Sequence, residues 1–544
     1  MRWRCSTPCW RAIFPILIPG EAMSFRLTYA SMYNPPSELH ERFEAALASV
    51  RAGLGQRHAL HIDGVDRHAE AEVERHSPID AALALGRFPL ASAADVDEAM
   101  RAAQAAYPAW RETPAAERAR LVRRVGEIME QRVYELAAAL SLEVGKNRME
   151  ALGEAQETVE FYTGYADEFE RNQGYDRPLP DDPLEGAVSH NRSVMRPHGV
   201  WAVIAPFNFP LALAGGPAAA AMVTGNTVVL KGASDTPWAG RLLADCVRDA
   251  GLPPGVFNYL SGSGAQAGEA LVAHRQVAGI TFTGSVAVGM RLVRQMASGA
   301  YPRPCIAEMG GKNPCIVTEH ADLDRAAAGI LRSAYGMGGQ KCSALSRLYV
   351  HERVADALIV KLKQQMAAVR IGDPTKREHW LGPVVNRHAY EQYARYVDAL
   401  RGNGADVIAG GRQLREDGLD RGWYVEPVLA EAPLEHPLWK QEMFLPILTL
   451  HRYRERDTAM RLANDSDMGL TAGVFGSDED VRWFQRHIEA GVTYANRQFG
   501  ATTGAWPGYQ PFGGWKGSGS SGKAIASFYY LPQYLREQSR TVVE

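Results

Sequence analysis

The 544-residue chain has no CxxC pair and no regular cysteine framework, no apolar run long enough to span a membrane, and no marked excess of either charge. Its six cysteines, Cys5, Cys9, Cys246, Cys305, Cys315 and Cys342, are scattered. That excludes a disulfide-stapled scaffold and favours a reducing, cytoplasmic compartment. No stretch reaches the roughly 18 to 20 apolar residues of a bilayer-crossing helix, so no membrane partner is expected. With 59 basic against 62 acidic residues the formal net charge is −3, and nothing in it asks for nucleic acid. No metal is expected either.

What is present is length and the composition of a globular protein, 46% hydrophobic and 22% charged. The size prior divides such a chain into roughly two to four domains. The first 22 residues combine arginines with a short apolar run from Ala12 to Ile18. They read as an export signal or as an extension upstream of a start at Met23; the interrupting proline and the lack of a small-residue cleavage site favour the extension.

Along the chain, ELHERFEAALASVRAG is helical and LHIDG strand-like. Ser92 followed by Asp95 has capping-box spacing ahead of a helix. Leu121, Val125, Ile128, Met129, Val133, Leu136 and Leu140 recur at helical spacing and predict one longer helix. Then the texture changes. VWAVIAP (200–206), NTVVLK (226–231), VFNYLSG (256–262) and GITFTGS (279–285) are short β-branched runs separated by helical stretches. This alternation predicts an α/β fold with a parallel sheet, helices on both faces and ligands at the carboxyl ends of the strands. GSGAQAG, with Gly264 and Gly268, and the turn Thr283, Gly284, Ser285 both stand at strand-to-helix junctions. Backbone N–H groups there can meet phosphate, or the glycines simply make tight turns. A second alternating segment begins near Asn313, and an active site is expected in the cleft between the two.

In residues 335–347, YGMGGQKCSALSR, Cys342 follows a run of small residues. Alone, this stretch fits two readings: a packed core thiol, or a nucleophile approached closely by ligand across Gly336, Gly338 and Gly339.

PFNFP, the lysine of VVLKGAS, FTGS, EMGGKNP and GQKCS, in this order, resemble the aldehyde dehydrogenase superfamily from about Leu60 to the C-terminus. Glu308 precedes Cys342 by 34 residues, as the family requires. The resemblance implies that Cys342 attacks the aldehyde, Asn208 and the Cys342 N–H hold the oxyanion, and Glu308 is the base for thioester hydrolysis. For an NAD cofactor it implies Lys231 at the adenosine ribose, Gly284 and Ser285 at the pyrophosphate, and Glu442 and Phe444 at the nicotinamide half. Ser234 stands where many NAD-preferring members carry glutamate, so NADP use is open. Phe444, Leu445, Pro446 replaces the usual Phe-Gly-Pro.

The stretches IAEMGGK, GGQKCSALSR and TGAWPGYQPFGGWKGSG further resemble 1-pyrroline-5-carboxylate dehydrogenases. These oxidise glutamate γ-semialdehyde to glutamate in proline catabolism. By that resemblance Ser343, Gly504 and Ala505 anchor the substrate's carboxylate and Phe512 shapes its site. The alternatives are another aliphatic or aromatic aldehyde, a CoA-acylating enzyme, a thiol hydrolase, or a catalytically silent binding protein on the same fold.

The implied division is an N-terminal extension (1–45), a Rossmann-type dinucleotide-binding domain (46–182 and 199–308) and an α/β catalytic domain (309–502). A small β oligomerisation hairpin and C-terminal arm (183–198 and 503–544) complete it and imply a homodimer or higher homo-oligomer. Cys342→Ser is expected to abolish NADH formation from aldehyde; robust oxidation by that variant, followed at the NADH absorbance, would defeat the assignment.

Overall fold

The computed structural model describes residues 27–29, 31, 35–500 and 502–544. The readings made for residues 1–22, for Met23 and for Cys5 and Cys9 therefore lie outside the described residues.

Two seven-stranded sheets carry the fold, and their strands are numbered here in chain order. The first holds β1 (Leu60–Ile62), β2 (Val65–Arg67), β3 (Val200–Ile204), β4 (Thr227–Lys231), β5 (Phe257–Leu260), β6 (Val277–Thr283) and β7 (Cys305–Glu308). Their order is β7-β6-β3-β4-β5-β1-β2. The strands β3 to β7 are parallel, with β1 and β2 as an antiparallel edge. Near-continuous apolar runs such as VWAVI and TVVLK form these strands because helices cover both faces.

The second sheet holds β8 (Asn313–Val317), β9 (Leu345–His351), β10 (Asp406–Ala409), β11 (Val428–Glu431), β12 (Ile447–Tyr453), β13 (Thr471–Phe475) and β14 (Val492–Ala495). It runs β10-β11-β12-β9-β8-β13-β14, parallel except at the β10 edge. The α/β class and the parallel sheets are as expected.

Among the helices are α1 (Ser37–Ala52), α2 (Ala93–Glu112), α3 (Ala115–Gln131), α4 (Val133–Val144), α5 (Arg148–Arg171) and α6 (Ala212–Val223). Ser92 and Asp95 make the capping box of α2. The single long helix expected over 121–140 is instead α3 and α4, broken at Arg132, whose φ of −106° and ψ of 11° leave the helical path. The apolar spacing runs through the break because both helices bury into one core, so periodicity alone does not reveal it.

The boundary drawn at residue 45 also needs correction. It cuts through α1, whose Leu39 and Phe43 belong to that same core. The arm differs as well: strand Ser189–Pro197 pairs antiparallel with Leu535–Val543 along its whole length and with Asp176–Leu179 on its other side, so the arm sheet starts before residue 183. Much of the segment from 503 to 525 lies against the site rather than in the arm.

Beneath the site Lys146 and Glu154 form an ion pair at 2.5 Å with both side chains 0% exposed. Glu154 Oε1 also accepts the N–H groups of Leu211 (2.8 Å) and Ala212 (3.2 Å) at the start of α6. The Lys146 ammonium stands 3.6 Å from the Phe209 ring centre. A carboxylate at a helix N-terminus satisfies its orphan donors and complements its dipole. Here it also fixes the PFNFP turn that carries Asn208. Lys146→Met strands the Glu154 charge in the interior, with an expected loss of about 3–5 kcal/mol. Denaturant unfolding should show it, and adding Glu154→Gln should restore part of the loss.

Candidate active site

The helix Leu323–Tyr335, packed on the second sheet, delivers the chain into the cysteine loop. There Met337, Gly338 and Gly339 adopt φ of 56°, 63° and 66°. At Gly339 a side chain would be strained by its φ and its Cβ would collide with the Leu445 carbonyl, so glycine is required. The loop is braced from several sides. Asn313 Nδ2 donates to the carbonyls of Cys342 (2.7 Å) and Ala344 (2.8 Å). Gln340 Oε1 accepts the Val385 N–H at 2.9 Å. Asn208 Nδ2, reaching over from the first sheet, donates to the Gln340 carbonyl at 3.1 Å. An amide nitrogen has two hydrogens, so one remains to serve an oxyanion.

Cys342 is half-buried on the wall of a cavity of about 330 Å³ that Ser343, Ala505 and Phe512 also line. Glu308, Asn208 and Gly504 are not among the lining residues. Burial pushes the Cys342 thiol up to about 12, with the carboxylates of Glu442 and Glu308 adding to the shift. The N–H groups of Ser343 and of Cys342 itself oppose it. At neutral pH the resting group is a thiol, and attack needs a base.

Glu308 ends β7 with its carboxyl buried, which pushes it up to about 8 against the opposing Gly514 N–H at 3.2 Å. The segment 514–520 wraps this strand end. Met309 N–H donates to the Ser518 carbonyl, Ser518 Oγ to the Gly310 carbonyl (2.7 Å), and Ser520 Oγ to the Cys305 carbonyl (2.7 Å).

Of the residues expected to hold a cofactor, Lys231, Ser234, Gly264, Gly268, Gly284 and Ser285 stand at the carboxyl ends of β4, β5 and β6, where parallel sheets bind ligands, whereas Glu442 and Phe444 come from the segment ahead of β12 in the second sheet. Lys231 is 5% exposed, and burial lowers its ammonium to about 8. It donates to Ser234 Oγ at 3.3 Å, and Ser234 Oγ donates to the Gly262 carbonyl at 3.0 Å. A buried ammonium held by a neutral hydroxyl suits a ligand bearing hydroxyls and phosphates, so the donor set fits a dinucleotide. Two amides do not serve as expected. Gly284 N–H is donated to the Glu308 carbonyl and Gly268 N–H to the Ser263 carbonyl. Gly268 leaves space where a Cβ would stand, whereas the missing Cβ of Gly284 makes room for the Phe282 ring. Gly264 opens a π-helical turn capped by Ser263, and Ser285 Oγ caps Val286–Ala297 through the Val288 N–H. Glu442 Oε1 accepts the Gly311 N–H at 2.9 Å. Phe444, at φ 56°, meets Phe207 edge-on with ring centres 5.7 Å apart.

The sequence profile of the aldehyde dehydrogenase family matches residues 65–539. The chain belongs to that family. 1-Pyrroline-5-carboxylate dehydrogenase 1 of Halalkalibacterium halodurans is 35% identical to it over 509 residues, 92% of this chain and 96% of that protein. The 1-pyrroline-5-carboxylate dehydrogenase of Geobacillus thermodenitrificans is 35% identical over 93% of this chain and 96% of its own. A crystal structure of 1-pyrroline-5-carboxylate dehydrogenase from Thermus with bound NAD superposes with a TM-score of 0.88 at 30% identity, covering 97% of this chain and 99% of that one. As an aldehyde dehydrogenase the protein is an NAD(P)-dependent oxidoreductase.

The substrate side departs from expectation at one point. Gly504 N–H donates to Gln510 Oε1 at 2.8 Å, and Ala505 N–H to Thr503 Oγ1 at 3.2 Å. Both donors assigned to a carboxylate are thus paired within their own loop, which closes on itself through the Trp506–Gln510 bridge. Sequence reasoning missed Asn313 and Gln340, although both stand inside recognised motifs, and it missed Glu157. Glu157 lines the cavity from α5, and burial pushes its carboxyl up to about 8.

Below about 8 the Glu308 carboxyl holds its proton and cannot take one from water; above it the carboxylate can. Thioester hydrolysis should therefore accelerate as pH rises through that value. Glu308→Gln should remove this limb and slow hydrolysis by roughly 10²- to 10⁴-fold, with acyl-enzyme accumulating in single-turnover mass spectra.

Proposed function

We propose that this aldehyde dehydrogenase oxidises L-glutamate γ-semialdehyde, the open form of 1-pyrroline-5-carboxylate, to L-glutamate in proline catabolism. The observation that carries the reading is the cavity: Cys342 and Ser343 lie on its wall together with the loop residues Thr503 and Ala505 and the buried Glu157 carboxyl. Glu157 is an acidic group on the wall of a largely apolar cavity, and a substrate ammonium is a matching partner whose approach would favour its ionised form. In this reading the Ser343 hydroxyl and the loop receive the carboxylate, the loop by exchanging its internal bonds for bonds to ligand.

In this reading the Cys342 thiol gives its proton to the Glu308 carboxylate by way of water as the sulfur adds to the aldehyde carbon, Glu308 passes that proton on to solvent, and the Asn208 amide and the Cys342 N–H stabilise the oxyanion. NAD(P), when bound, supplies a hydride acceptor. Lys231 and Ser234 would hold its adenosine ribose, Ser285 its pyrophosphate, and Glu442 with Phe444 its nicotinamide half. Glu308 then takes a proton from water, which cleaves the thioester at Cys342 and frees the acid.

We also propose a homo-oligomer of at least two chains in a cytoplasmic setting. Strand Leu535–Val543 is the edge of its sheet and exposes Val542 and Val543, a surface that invites pairing. Cys246, Cys305, Cys315 and Cys342 are free thiols, which suits a reducing compartment.

The occupied Gly504 and Ala505 donors favour a second reading, in which the substrate is an uncharged aliphatic or aromatic aldehyde. Comparing kcat/KM for glutamate γ-semialdehyde with propanal and benzaldehyde, each with NAD and NADP, decides between the two. The expected outcome is preference for the amino acid aldehyde by at least tenfold, about 1.4 kcal/mol in transition-state binding; uncharged aldehydes winning by that margin would sink the carboxylate anchor.

A further inference from the structure

Residues 27–31 precede the family match at 65–539 and were expected to belong to an N-terminal extension without chemistry. The structure brings one of them to the catalytic cavity. Tyr29 lines that cavity and donates its hydroxyl to Glu157 Oε2 at 2.8 Å. Its ring packs edge-on against Trp506, with centroids 5.1 Å apart and planes at 88°. Its carbonyl lies so close to Gly500 that an added Cβ there would come within 2.6 Å of the oxygen, and Gly500 itself sits at φ 78°. Tyr29 therefore bridges the two walls, meeting α5 through Glu157 and the facing wall through Trp506 and Gly500.

The bridge is built to stay. Burial and the charges of Glu157, Glu154 and Glu150 hold the Tyr29 hydroxyl well above its usual pKa, so it remains a proton donor across the working range. Burial pushes Glu157 up while the bond from Tyr29 works in the opposite direction, favouring the ionised carboxylate. Trp506 is buried, so the edge-on contact is a packed one and not a surface encounter.

We propose that Tyr29 is a specificity-determining positioning residue, which sets the Glu157 carboxyl and the loop residues Gly500 and Trp506 at the spacing that accepts an aldehyde carrying both an ammonium and a carboxylate. This rests on the amino acid aldehyde reading given above. It makes the segment ahead of the matched region part of the substrate site, acting through Glu157 rather than on the reacting carbon.

The test is Tyr29→Phe, which removes only the hydroxyl, assayed with glutamate γ-semialdehyde and with glutarate semialdehyde, the same chain without the ammonium. A hydrogen bond to a charged group predicts a fall in kcat/KM of about tenfold for the first substrate, carried by KM with kcat held, and little change for the second. In a Glu157→Gln background the same substitution should cost nothing further, since the two residues act as one unit. Equal losses with both semialdehydes, or a full additional loss in the Glu157→Gln background, would overturn the assignment. A wild-type enzyme that does not distinguish the semialdehydes overturns the substrate reading. One that distinguishes them, with Tyr29→Phe unchanged, overturns the role of Tyr29 alone.

Discussion

The geometry of this enzyme depends on a four-residue joint. Residues 309–312 are all that separates β7, the last strand of the first sheet, from β8, the first strand of the second. Each of the four is tied down. Met309 N–H and the Gly310 carbonyl bond Ser518, and Gly311 N–H bonds Glu442. Lys312 donates to Ser346 Oγ at 2.5 Å and its carbonyl accepts from the buried Arg347 at 2.8 Å. Glu308 stands immediately before the joint and Asn313 immediately after it. Since Asn313 holds the carbonyl of Cys342, base and nucleophile are linked through a short piece of backbone that is anchored at each of its residues. This explains in physical terms why a spacing of 34 residues in the chain carries chemical meaning.

Burial governs the electrostatics throughout. Glu308, Glu157, Cys342 and Lys231 are all moved toward their neutral forms by loss of water. A site poised this way carries little stranded charge while it waits, and each group can gain or lose a proton with modest driving force once a ligand arrives. Lys146 and Glu154 are held in another way, with both side chains buried and each the other's partner at 2.5 Å. That pair stands under the PFNFP turn, so a fully buried ion pair is part of the support of Asn208.

Much of this was legible in the sequence. The strands of the first sheet stand out because parallel strands covered on both faces leave continuous apolar runs. The glycines before Cys342 stand out as a site of close approach, and the structure adds that Gly338 and Gly339 adopt left-handed backbone. The break at Arg132 was not legible, because Val125, Ile128, Val133 and Leu136 keep helical spacing on both sides and share one core. Nor was the fate of the amides of Gly284, Gly504 and Ala505. Whether a backbone donor is free depends on partners such as the Glu308 carbonyl, which only the folded chain brings near, or on the Gln510 side chain turning back on its loop. Tyr29 was invisible for the same reason: its partners Glu157 and Trp506 lie far along the chain.

The wrap of residues 514–520 around β7 has a consequence for where the timing of product release can be tuned. The Gly514 N–H reaches Glu308 Oε2 from a stretch that belongs to neither seven-stranded sheet, and it is the contact that opposes the upward push of burial on the base. Ser518 and Ser520 fasten that stretch to the strand end through the Gly310 and Cys305 carbonyls. A substitution that loosens these two serines can therefore raise the pH at which the thioester is cleaved while leaving the nucleophile, the oxyanion donor and the cofactor strands as they are.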